Sequence, residues 1–166
     1  MIIDTHTHTF PDRIAARALA GMEKSIVDKD DWNVKIKVAG TRDALSESTK
    51  KNGVDISVVV PVATKPEQSA SINEFAAQTN EKTKETGVFS LGAIHPDNED
   101  YKDILDDIKK KGLKGIKVHP DYQKVEFDDP RYLRIFKYAD ELGLVIVTHA
   151  GEDIGLPEKI HCTPDM

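Results

Sequence analysis

The sequence predicts an α/β protein built from repeating βα units on a parallel sheet, and three observations carry that prediction. The hydrophobic period switches repeatedly between strand-like alternation and helical spacing, and each switch falls at a glycine or a proline. The run Val58-Val59-Val60 is a continuous β-branched stretch of the kind found in strands buried on both faces. Five of the six histidines fall where predicted strands end, and parallel α/β proteins carry their chemistry along that carboxyl edge.

The first strand begins Ile2-Ile3, as a buried strand would, and ends Thr5-His6-Thr7-His8 before Phe10-Pro11-Asp12 closes the run. Successive strand side chains point to opposite faces, so His6 and His8 project the same way and can share one divalent cation. Asp4 has the same parity, with an expected role in orienting a ligand or accepting a backbone hydrogen bond. A longer stretch follows: a short helix over residues 13–23, an irregular segment containing Trp32, and a helix over residues 42–51. This insertion is expected to fold over the mouth of the sheet and touch the substrate region, or else to run along the surface.

The remaining strands are predicted over residues 54–62, 88–95, 115–119 and 144–149, with helices between them. The helix over residues 68–86 packs through Ile72, Phe75, Ala76 and Thr79 and stops at Gly87. The helix over residues 98–111 packs through Tyr101, Ile104, Leu105 and Ile108 and ends at Gly112. After the fourth strand, Asp129 caps a helix with Pro130 in its first turn, and Gly143 closes it. Leu133, Phe136, Ala139 and Leu142 form its apolar stripe. No low-complexity linker divides the chain, so residues 1–166 read as one domain.

The formal charge of −6 offers nothing to a polyanion, and the longest basic run, Lys109-Lys110-Lys111, sits where a helix C-terminus favours cations. Neither nucleic acid nor a membrane surface is therefore an expected partner. No segment has the apolar length of a membrane span, and the N-terminus lacks the charged and apolar regions of a signal peptide, so a cytoplasmic location is expected. Cys162 is the single cysteine, which excludes an internal disulfide or a CxxC motif. It reads as a spectator thiol.

Three segments, Ile3-Asp4-Thr5-His6-Thr7-His8, Gly115-Ile116-Lys117-Val118-His119-Pro120 and Val147-Thr148-His149-Ala150-Gly151, together resemble the metal-dependent amidohydrolase superfamily. The closer resemblance is to its branch of TIM-barrel hydrolases and nonoxidative decarboxylases related to aminocarboxymuconate semialdehyde decarboxylase. It runs from Ile2 to Gly151. The resemblance implies that His6, His8 and His149 hold a divalent metal, zinc or alternatively manganese. It makes His119 a substrate or supporting candidate, with Lys117 on the same strand face and Asp4 beside the ligands. His95 reads as a structural strand end.

The resemblance also implies a catalytic histidine on a sixth strand and a metal-binding aspartate on an eighth, and this sequence has neither strand. It continues fifteen residues past Gly151, whereas a full barrel takes roughly 250 residues. The expected architecture is thus TIM-barrel-like, with about five of eight βα units, the N-terminal part of an amidohydrolase-like barrel, and two exposed sheet edges. His161, in the tail, either swings back toward the site or stays solvated; Asp165 is a second such candidate.

The expected function is a metal-dependent hydrolase that opens an amide, ester or lactone in a small organic substrate with metal-activated water. The alternatives are a nonoxidative metal-dependent decarboxylase and a noncatalytic barrel fragment. A homo-oligomer is expected, because the sheet edges need cover. The residue that shuttles protons is not assigned, because in the resembling family it belongs to the later strands.

Overall fold

A computed structural model describes residues 1–30, 35–153, 155–156 and 160–166 of the chain; Trp32 and its irregular segment lie outside them. The strands are β1 (Ile3–Thr7), β2 (Ile56–Val59), β3 (Val88–Ser90), β4 (Gly92–Ala93), β5 (Gly115–Val118) and β6 (Val145–Thr148). The named strands pair in parallel, in the orders β1-β2-β3 and β4-β5-β6. The five expected strands are present, with the third divided around Leu91.

Two asparagines explain that division. On the helix α3 (Ser69–Glu81), Asn80 exchanges hydrogen bonds with both backbone groups of Ser90, and Asn73 does the same with Ala93. The strand backbone at these two points is satisfied by side-chain amides instead of a neighbouring strand. On the far side Gly115 permits a close approach, because a Cβ there would lie 2.3 Å from the Val145 carbonyl oxygen of β6.

The other helices are α1 (Asp12–Asp30), α2 (Arg42–Lys51), α4 (Thr83–Thr86), α5 (Tyr101–Lys110), α6 (Pro120–Gln123) and α7 (Pro130–Glu141). The helix expected over residues 68–86 is interrupted at Lys82. Thr79 and Thr86 bond back to the carbonyls of Phe75 and Lys82, while Thr83 reaches forward to Val88, which turns the chain into β3. In α7 the Asp129 side chain accepts from the Arg131 N–H, and Gly143 follows with φ +66°. Leu133 is 51% exposed and does not belong to the core; Ala139 faces inward as expected, joined by Tyr132 and Ile135, with Phe136 and Leu142 packed against the cluster. The reason is Tyr132, whose hydroxyl is anchored on Gln123 and fixes the rotation of the helix.

The apolar core joins Ile94, Ile116 and Val118 of the sheet region to Leu105 and Ile108 of α5 and Tyr132 and Ile135 of α7. The expected insertion divides in two. α1 lies at the mouth, where Ile14, Ala18 and Met22 line a cavity. α2 instead covers the sheet, with Thr49 hydrogen-bonded to Ser57 of β2 and Ser46 to the Thr86 carbonyl. β1 is not the buried strand that Ile2-Ile3 implied: Ile2 is 61% and Ile3 44% exposed, because no described strand pairs with its outer side. No helix of the described residues is long and apolar enough to cross a membrane.

Candidate functional site

His6 lies in β1 and His8 just beyond its end, and both face a cavity of about 480 Å³ at the C-terminal edge of the sheet. Their rings meet edge to face at 5.0 Å between centroids. Both are solvent-accessible on one side, yet the surrounding protein displaces enough water to lower both pKa values. Neighbouring charge adds to this, Lys117 and His149 acting on His6, and His6 and Lys117 on His8. Both imidazoles are therefore neutral at pH 7, the form that binds metals. Strict alternation fails before His6: the β1–β2 register slips by one residue between Asp4 and Thr7, a bulge that re-aims the side chains. Asp4 consequently stays exposed, outside the cavity lining, and accepts the His6 N–H at 3.2 Å.

β5 brings Lys117 and His119 to the same edge. Lys117 is fully buried, and its Nζ has no hydrogen-bond partner. Burial pushes its pKa down to about 8. His119 caps α6: its Nδ1 accepts the Tyr122 N–H, so the proton sits on Nε2, which faces Asp153 Oδ2 at 3.2 Å. Burial first, then His149, lowers the His119 pKa to about 4. Beneath it, Gln123 accepts the His119 N–H and the Tyr132 hydroxyl and donates to the carbonyls of Ala63 and Ile94. One side chain thus ties together three strand ends.

His149 follows β6 and stacks on His119, with centroids 4.2 Å apart and planes 5° from parallel. Its Nε2 is buried without a hydrogen bond and lies 3.9 Å from Asp121 Oδ2, itself buried without a hydrogen-bond partner. Asp121 Oδ1 accepts the backbone N–H of His161 and contacts its ring nitrogen at 2.8 Å. His161 is therefore anchored and not solvated, with its carbonyl also accepting from the Phe127 N–H. His161 reaches Asp121 but is not part of the cavity lining, and Asp165 is exposed at the chain end. His95 is buried, accepts the Asp97 N–H and ends its strand, as expected. Cys162 is buried and its thiol pKa is raised by burial, consistent with a spectator.

Sequence reasoning missed Asp121 and Asp153. Both are carboxylates within four residues after a strand-tip histidine, Asp121 in the first turn of α6 and Asp153 in the segment after His149, a signal that was available. Ligand atoms of His119, His149 and Asp153 lie within 4.8 Å of one another. His119 Nε2 and Asp153 Oδ2 lie 3.2 Å apart, whereas His149 Nε2 has no hydrogen-bond partner and His6 and His8 are neutral rings on the same cavity. This donor set, nitrogen-rich with one adjacent carboxylate, fits a divalent transition metal.

No match was found among curated proteins. Among solved structures, the chain is similar to 5-carboxyvanillate decarboxylase of Novosphingobium aromaticivorans complexed with manganese, at 16% identity and TM-score 0.67 over 92% of this chain and 51% of that one. The corresponding decarboxylase of Sphingomonas paucimobilis gives 16% identity and TM-score 0.64 over 95% and 57%. A probable 2-pyrone-4,6-dicarboxylic acid hydrolase of Acinetobacter baumannii gives 13% and 0.53 over 90% and 49%. The chain spans about half the length of the structures it matches. These likenesses show the fold, a partial barrel of parallel βα units. The profile of the family described as Amidohydrolase matches residues 3–164, and the chain belongs to that family.

Proposed function

We propose that the chain carries the metal-binding part of a hydrolase site for a small carbonyl substrate, with His6, His8 and His149 as ligands to zinc or manganese. The observation that supports it is one cavity lined by His6, His8, His119 and His149, with His149 Nε2 left without a hydrogen bond. A divalent ion held there supplies Lewis acidity toward a carbonyl and activates water near neutral pH.

The chain's own residues do the remaining work in this reading. Asp153 Oδ2 is the proton acceptor, since it faces the cavity while Oδ1 is fixed by the Gly155 N–H. His119 Nε2 lies 3.2 Å from that oxygen, close enough for its proton to be released to the leaving group beside the carboxylate. Lys117, fully buried behind the cavity wall, adds positive charge that keeps His6 and His8 in the neutral, metal-binding form. A second reading, nonoxidative decarboxylation, is favoured by the decarboxylases among the similar structures; Asp153 would then return a proton to carbon.

Elemental analysis of protein purified without added metal or chelator tests the ligand set. The expected result is about one zinc or manganese per chain, lost in a His6→Ala/His8→Ala variant and kept in His119→Asn. Folded wild-type protein free of metal would overturn it. Ester and lactone hydrolysis against carbon dioxide release from aromatic acids then separates the two reactions.

A further inference from the structure

The cavity has a titratable end and a largely apolar one, at which the polar lining residues Gln68 and Ser71 spend their Oε1 and Oγ on local hydrogen bonds. The histidines, Tyr122 and Asp153 form one end. Away from them, Ile14, Ala18 and Met22 form a line at four-residue spacing along α1, facing Ile72 and Phe75 of α3. This stripe is not used by the core. α1 buries Ala15, and α3 turns Asn73, Ala76 and Thr79 inward, leaving the stripe residues partly open to the cavity.

From Ile14 to Met22 the stripe runs about 12 Å at 1.5 Å per residue, the length of an extended medium alkyl chain. Among the described residues lining this end, the single charged side chain is Arg13, which is exposed and not aimed inward from a buried position. A second carboxylate placed here would lose hydration with no buried cation on the lining to receive it, since the Arg42 guanidinium lies over the Phe75 ring, 5.9 Å from its centroid, and is not part of the lining.

We propose that the substrate carries one reacting carbonyl or carboxyl group on an uncharged alkyl chain, which lies between α1 and α3. This rests on the polar end being the reacting end. It assigns a specificity wall to Ile14, Ala18, Met22, Ile72 and Phe75.

Calorimetric titration with acetate, butyrate, hexanoate, octanoate and suberate tests it, with metal content measured on the same preparations. Affinity is expected to rise about two- to fourfold per added methylene. Suberate, which differs from octanoate by a terminal charge, should bind at least tenfold more weakly. Ala18→Trp, filling the stripe, should flatten the series in protein that circular dichroism shows to be folded, and Met22→Ser should reduce its slope. A flat or undetectable series, or suberate binding as tightly as octanoate, overturns the inference. Metal-free protein with a steep series would sink the metal reading alone, and a flat series in metal-loaded protein would sink the alkyl-chain inference alone.

Discussion

Lys117 keeps a buried ammonium with no partner for Nζ, and that has a measurable consequence for folding. Burial moves its pKa from the ordinary 10.5 down to about 8, which at 1.36 kcal/mol per unit is roughly 3 kcal/mol against the folded, charged form. The unfolded chain holds more protons between those two values, so stability rises as pH increases from 8 toward 10, and below 8 the penalty is complete. Urea denaturation in chelator at pH 7, 8.5 and 10 should show this rise. Lys117→Met should be more stable than wild type at pH 7 by roughly 2–3 kcal/mol and lack the rise; a flat wild-type profile would contradict the argument. The strand-tip histidines were legible because strand ends are marked by glycine and proline. The Asp4 parity was not, since the β1 bulge carries no glycine or proline signal. Nor was the Asp121–His161 contact, which depends on the tail being pinned by Phe127 and Gly151 far from it in sequence.

Among the elements, α6 has the largest effect for its size. Four residues long, it has too few positions to show a period, and only Pro120 after the capping His119 hints at it. It places Gln123 where four buried groups converge: the His119 N–H, the Tyr132 hydroxyl, and the carbonyls of Ala63 and Ile94. Gln123→Ala leaves them unsatisfied and should lower stability by roughly 2–4 kcal/mol, read by chemical denaturation. The His119 amide should also exchange hydrogen faster, because the β5 end loses its clip. Gln123→Glu should be no milder, since a carboxylate cannot donate to the two carbonyls. Equal stability of all three proteins would show that water replaces the amide. The longer helices were legible from their apolar spacing, yet the break at Lys82 was not, because threonines bonding to the backbone leave the apolar pattern intact.

On the scale of the whole molecule, the parallel sheet is open at both sides. The outer side of β1 and the outer side of β6 pair with no described strand, and Ile2, Ile3 and Val145 stand 61%, 44% and 59% exposed along them. The sequence predicted these edges by supplying five strands, although it suggested a buried first strand. An unpaired edge with exposed β-branched residues is a template for another strand. The long unbranched charges that usually blunt such edges are missing from these three positions. The chain by itself should therefore associate through its edges. Sedimentation velocity between about 1 and 100 µM should show a species larger than the monomer that grows with concentration, because edge pairing is a mass-action equilibrium. Replacing Ile3 and Val145 together by lysine should return it to a monomer while the circular dichroism spectrum and the metal content stay unchanged, since neither side chain lines the cavity. A wild-type chain that sediments as a monomer across the whole range would mean that the edges are covered from within the molecule.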